Sequence, residues 1–199
     1  MHLLPEPFPK SFYNQSTLQL AQSLLGKLLL KETDNGIASG FIVETEAYLG
    51  PDDRAAHSFN NKRTKRTEIM FGEAGRTYTY TMHTHCLFNV VSGSIGHPEA
   101  VLIRGVEPYT GQELMEERRP KAKIKRQWTN GPGKLTKALG ITMDDYGHAL
   151  DQHPLWIADG KLVASSQISS GPRIGIGNSG EAKHYPWRFW VAGNDFVSR

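Results

Sequence analysis

The chain has 199 residues, 38% of them hydrophobic and 22% charged, with a net charge of +3 and a pI of about 8.9. These figures suit one soluble domain able to bury a sizeable core, and they permit a polyanionic partner without requiring one. The single cysteine, Cys86, excludes a disulfide framework, a CxxC zinc ribbon and a dithiol redox pair, and reads as a small buried hydrophobe. No apolar run approaches ~18 residues, so no membrane span is expected. The opening MHLLPEPFPK lacks the apolar core of a signal peptide, which leaves the cytoplasm as the expected location.

Pro5, Pro7 and Pro9 predict an extended arm over residues 1–11. Asn14 or Ser16 can cap a helix from Thr17 to Leu25, with Gly26 at its end. Lys27–Lys31 reads as a strand, and the turn signal Asp34-Asn35-Gly36 joins it in a hairpin to a strand starting at Gly40. That second strand runs through FIVETEAY until Gly50-Pro51 breaks it. A regular strand alternates its side chains, so Ile42, Glu44, Glu46 and Tyr48 are expected on one face. Two carboxylates on an apolar strand form either a solvated, ion-paired face or a general base tuned by partial burial.

Past Pro51 the chain turns polar and reaches Lys62-Arg63-Thr64-Lys65-Arg66, four cations in five residues. Such a run is a solvated loop or a set of phosphate contacts. RTYTYTMHTH follows, a strand on which Tyr78, Tyr80 and Met82 share a face, as core packing or as a platform for a flat ligand. His83 and His85 raise zinc as a further reading, with His57 or His97 as an added ligand, but no acid stands at a ligand spacing. Phe88–Val91 and Ala100–Val106 are strand candidates. Within them Asn89 and Arg104 need polar partners if buried. Gly111–Arg119 is helical by composition, and the basic run Lys121–Arg126 reads as surface. Asn130-Gly131-Pro132-Gly133-Lys134 opens a short helix whose start favours an anion, without the spacing of a Walker A loop. In the last third, 155–158, 161–164, 174–176 and 187–191 are predicted strands.

The blocks IVETEAYLGPDDRAAH, MFGEAGRTYTYTMHTHCLFNV, VLIRGVEP, NGPGKLTKALGI, RIGIG and RFWV, in that order, resemble the alkyladenine (3-methyladenine) DNA glycosylase family. The resemblance runs from about Phe12 to Val197, and ETEAYLGP with the later AAH is its most specific part. It implies a single α+β domain over 1–199: a curved, mostly antiparallel sheet with peripheral helices and a β-hairpin that enters DNA. The implied activity is hydrolysis of the N-glycosidic bond of alkylated or deaminated purines (3-methyladenine, 7-methylguanine, hypoxanthine, ethenoadenine) after base flipping, which leaves an abasic site. Neither cofactor nor metal is called for. The implied partner is double-stranded DNA bearing damaged purines, bound by a monomer in the cytoplasm, at the nucleoid of a bacterium or in a eukaryotic nucleus.

Carried over residue by residue, the resemblance makes Glu46 the general base. Arg104 and the Ile174 carbonyl would hold the attacking water. Tyr48 and Tyr80 would stack on the flipped base, His57 would pack against it and hydrogen-bond it, and Asn89 would screen the purine edge. Apart from the resemblance, the basic run and the glycine-rich helix start make Lys62, Arg63, Lys65, Arg66 and Lys134 the candidate phosphate contacts. One departure stands out: the family's intercalating tyrosine is replaced by His83, next to Met82, so these two share the wedge assignment. The rival readings are a non-catalytic DNA-binding module and a two-carboxylate glycoside hydrolase using Glu44 and Glu46.

Overall fold

The strand β2, Gly36–Tyr48, is the longest element and carries both glutamates. A computed structural model describes residues 4–198 and shows β2 pairing with three partners, all antiparallel. Its first half pairs with β1 (Leu28–Thr33), its second half with β8 (Arg188–Val191), and both halves with β5 (Glu99–Pro108). Completing the sheet are β3 (Thr77–Met82), β4 (His85–Ser92), β6 (Leu155–Ala158) and β7 (Ile168–Gly171). The main path is β3-β4-β5-β2-β1-β6, with β7 joined through β8. Because β2 leaves β1 at Phe41 and takes up β8 at Glu44, the sheet cannot stay flat. It curls into a half-barrel.

The β2–β5 ladder slips at this point. It pairs Ile42 with Val106, Glu44 with Gly105 and Thr45 with Ile103, so Val43 and Arg104 are passed over. Each extra residue reverses the alternation of its strand. Ile42 therefore joins the helix-side core with Ala47, and is not in line with Glu44, Glu46 and Tyr48 as a regular strand requires. The same reversal on β5 puts Val101, Ile103 and Val106 in the core and leaves Leu102 and Arg104 on the other side.

Three helices cover the core face. α1 (Thr17–Ser23) starts at Ser16, whose hydroxyl accepts from the Gln19 N–H, and it buries Leu20, Ala21 and the following Leu24 against Ile42. α2 (Gln112–Arg118) follows Gly111. α3 (Pro132–Leu139) has proline in its first turn and Gly140 at φ 84° as its left-handed cap. A Cβ on Gly133 would lie 2.6 Å from Cβ of His85, so this glycine lets α3 dock closely on the β3–β4 hairpin. Burying each such leucine contributes roughly 1.5–3 kcal/mol before entropy is charged against it.

Several sequence expectations need correction. Lys10–Tyr13 is a 3₁₀ turn, so the arm is shorter than residues 1–11; its first three residues lie outside the described ones. The rest of the arm docks along β6, with Pro7 bridging Ala158 and the Trp156 indole donating to the Pro5 carbonyl. Residues 161–164 are not a strand: Leu162 is 93% exposed and pairs with nothing. Residues 174–176 bend at Gly175, φ 80°, and form a loop. Besides β2, β8 pairs with β7, whose ISSG carries too little apolar patterning to be read as a strand.

Candidate active site

The face of the sheet away from the helix-side core holds a cleft of about 180 Å³, and its walls come from five of the six blocks that carried the resemblance, all but RFWV. β2 supplies Tyr48, the following loop His57, β3 Tyr78, Tyr80 and Met82, β4 Asn89, β5 Arg104, and the 174–176 loop Ile174. Tyr78 and Tyr80 stack at 5.4 Å, and His57 meets Tyr80 edge-on at 4.6 Å. The His57 Nδ1 lies 2.8 Å from the Tyr78 hydroxyl. Burial, then the charges of Arg66 and Lys62, push the His57 pKa down to about 4, so the ring is neutral near pH 7. Asn89 is buried, and its amide donates to the Tyr78 carbonyl at 2.9 Å, so its orientation is set by the hairpin.

Behind this wall Glu46 is fully enclosed. Its Oε1 accepts the Ile174 N–H at 2.7 Å and its Oε2 accepts the Tyr48 hydroxyl at 2.8 Å. Nη1 of Arg104 lies 3.4 Å from Oε2. Burial raises the pKa of this carboxyl, opposed by Arg104, the Ile174 N–H and the Tyr48 hydroxyl. Such a group is basic enough to take a proton from water and charged enough to face a developing cation. Glu44 is equally buried but fully committed. It accepts from Arg104 Nε at 3.1 Å, Arg188 at 3.1 Å, the Ser198 hydroxyl at 2.9 Å and the Ser198 N–H at 2.7 Å. Glu44 is thus saturated by two arginines and Ser198, so it does not serve as the partner of Glu46 in the acid/base pair a glycoside hydrolase needs.

The sequence comparisons give the family. The family model for methylpurine-DNA glycosylase matches residues 11–195. The chain is 66% identical to a Bacillus subtilis protein over 97% of each chain. It is 56% identical to one from Oceanobacillus iheyensis, covering 98% of this chain and 96% of that one. A Listeria monocytogenes protein is 48% identical, with 94% and 89% covered. Each of the three is named "Putative 3-methyladenine DNA glycosylase". The chain belongs to the methylpurine-DNA glycosylase family. By that membership it is a DNA glycosylase of alkylation repair.

Within this glycosylase the other candidate residues fall into place unevenly. Met82 is 46% exposed and reaches the cleft wall, whereas His83 sits beyond it in a two-residue turn with Thr84, both at positive φ. Lys62, Lys65 and Arg66 are exposed. Arg63 is not free: it grips Glu68 through two hydrogen bonds of 2.9 and 2.5 Å and lies over the Phe71 ring. Lys134 donates to Asn130 Oδ1 at 2.9 Å, which pins it beside the start of α3. Burial and Arg119 hold its pKa below the usual lysine range. Among the described residues no three His, Cys, Asp or Glu side chains gather as a metal site, and no helix is long and apolar enough to cross a membrane. Cys86 is partly buried beside Met143, not fully buried as a small hydrophobe would be.

Four supporting residues escaped the sequence reading: Asp53, Arg173, Arg188 and Ser198. Asp53 and Arg173 form a fully buried ion pair under the cleft, and Arg188 and Ser198 saturate Glu44. Asp53 and Arg173 both stood inside the motif blocks, GPDDRAAH and the arginine before IGIG. Their separation of 120 positions hid the pairing.

Proposed function

We propose that this glycosylase hydrolyses the N-glycosidic bond of 3-methyladenine, and of the wider set 7-methylguanine, hypoxanthine and ethenoadenine, in purine nucleotides flipped out of duplex DNA. An abasic site is the product. The enzyme acts as a cytoplasmic monomer without a cofactor. The observation that carries the reading is the arrangement of Glu46: one enclosed carboxylate, held by Arg104, the Tyr48 hydroxyl and the Ile174 N–H, directly behind an aromatic-walled cleft.

The chemistry follows from those groups. A base must leave the stack to expose its glycosidic bond, at a cost of a few kcal/mol that is least for damaged pairs. Met82 or His83, at the end of the β3–β4 hairpin, fills the gap it leaves. Tyr48 and Tyr80 take the two faces of the flipped base and His57 its edge. A purine alkylated on a ring nitrogen is cationic, and its contact with aromatic faces contributes roughly 0.5–2 kcal/mol more than a neutral base obtains. Asn89 stands where a bulky exocyclic substituent would collide. Glu46 takes a proton from water oriented by Arg104 and the Ile174 carbonyl, while its charge stabilises the oxocarbenium-like sugar. Lys62, Lys65, Arg66 and Lys134 face phosphates.

The test is Glu46→Gln. The amide keeps the shape and loses the base. We expect base release from methylated duplex DNA, read by alkaline cleavage at abasic sites, to fall by at least ~100-fold, with binding to abasic-analogue DNA retained. Excision at the wild-type rate would dismiss Glu46 as the base. Binding without any excision by the wild-type protein would favour a non-catalytic module.

A further inference from the structure

We infer that the buried Asp53–Arg173 pair is a positioning device for the reaction, aiming the Ile174 N–H at Glu46 and holding the Tyr48 ring in place. The inference rests on Glu46 being the base.

The pair is two-pronged. Arg173 donates from Nη1 to Asp53 Oδ2 at 2.5 Å and from Nη2 to Oδ1 at 2.8 Å, and both side chains are fully buried. Asp53 also accepts the Leu49 and Ala55 N–H groups at 3.2 and 3.0 Å, which closes the turn after β2. Arg173 also donates to the carbonyls of Ala47 at 2.8 Å and Ala182 at 3.3 Å. Its guanidinium lies 4.6 Å from the Tyr48 ring centroid and 5.0 Å from that of Trp187. One planar group thus ties together β2, the turn after it, the 3₁₀ turn Gly180–His184 and the loop before Ile174.

The consequence lies one residue further on, because the Ile174 N–H donates to Glu46 Oε1 at 2.7 Å. The 174–176 loop has no ladder to hold it. The side chain of Arg173 is therefore what sets where the next peptide points. A buried ion pair contributes little net stability compared with a well-packed apolar replacement, and it requires one geometry. Arg173 even leaves its Nε without a partner among the described residues. That is an arrangement suited to placing the peptide rather than to maximising hydrogen bonds.

A positioning role predicts a change in the pH profile that a purely structural role does not. Around Glu46 stand Arg104 from β5, Glu44 and Tyr48 on β2, Arg188 opposite on β8, Tyr80 from β3 and the Ile174 N–H. Only the Ile174 N–H and the Tyr48 hydroxyl depend on Arg173. Both favour the charged carboxylate, so misplacing them raises the pH needed to ionise Glu46. Arg173→Lys keeps the charge but cannot bridge both oxygens, and Asp53→Asn keeps the shape without the charge.

Single-turnover release of 3-methyladenine from methylated duplex DNA would be measured from about pH 5 to 9. Rates would be scaled to the active fraction found by titration with abasic-analogue DNA. We expect both variants to react about 10-fold more slowly at neutral pH, with the acid limb displaced upward by about one pH unit and DNA affinity changed less than about threefold. An unmoved limb in the folded variants overturns the inference, and so does failure of both variants to fold, which would assign the pair to stability alone. Glu46→Gln, run alongside, separates the levels: if it abolishes release while the limb stays put, the base stands and the positioning role fails. If it releases base at the wild-type rate, the underlying assignment fails.

Discussion

Glu44 and Glu46 stand two residues apart on one strand, are both fully buried, and serve different ends. Glu44 accepts from two arginines and from Ser198, so it is the anchor of Arg104. Glu44→Gln takes the counter-charge from Arg188 and leaves Arg104 with Glu46 alone. We expect it to lower stability by roughly 3–5 kcal/mol, measured by urea denaturation, while the folded fraction still releases base. His57 shows the same logic in a base. Its folded pKa is about 4, whereas an unfolded histidine titrates near ~6.5. Between those values the unfolded chain binds more protons, so the stability contributed by neutral His57 is present above the unfolded value and lost as the pH falls toward the folded one. The ring is partly open to solvent, which reduces the effect. Replacing it, as His57→Gln, should cut the loss of stability between pH ~7 and ~4 by about 2 kcal/mol, read from urea midpoints at the two pH values.

At the scale of elements, the β3–β4 hairpin and the β2–β5 slip do most to shape the cleft. The hairpin closes on His83 and Thr84 at φ 46° and 71°, a two-residue turn of the kind in which Asn-Gly is preferred. A β-branched threonine in the left-handed region is strained by about 1–2 kcal/mol. The double variant His83→Asn, Thr84→Gly should therefore stabilise the protein by about 1 kcal/mol, raising Tm by roughly 2–4 °C in calorimetry. If Met82, which reaches the cleft wall, is the wedge, the same variant should leave ethenoadenine fluorescence on flipping unchanged while Met82→Ala diminishes it. Arg104 faces the cleft with Leu102, within reach of both glutamates, and the slip after it returns Val106 to the core.

Across the whole molecule, the basic loop Lys62–Arg66 lies close enough to the cleft for Lys62 and Arg66 to act on His57. The loop is held there by Tyr146, whose single hydroxyl proton is shared between the Lys65 and Arg66 carbonyls at 3.3 and 3.2 Å. Of the four cations, Arg63 is already paired, with Glu68. We expect Lys65→Gln and Arg66→Gln each to reduce the log–log salt slope of DNA binding by about 0.9, and Arg63→Gln to leave it unchanged. Fluorescence anisotropy over a salt series would read all three.

The family, the strands with strong period-2 patterning and the cleft-facing tyrosines were legible in the sequence because they rest on local signals: TYTYTM alternates, Asp34-Asn35-Gly36 turns, and ETEAYLGP is a specific string. The strand misread at 161–164 and the one missed at 168–171 had the opposite cause, since a strand exists only where a partner offers its hydrogen bonds. The face shared by Glu44, Glu46 and Tyr48 without Ile42 depended on a bulge that no local rule marks. Which glutamate anchors the arginines and which lies behind the cleft wall could be decided only by tertiary structure, because Arg104, Arg188 and Ser198 lie 60, 144 and 154 positions from Glu44. Sequence determines which residues carry charge; the fold determines which of those charges are already paired.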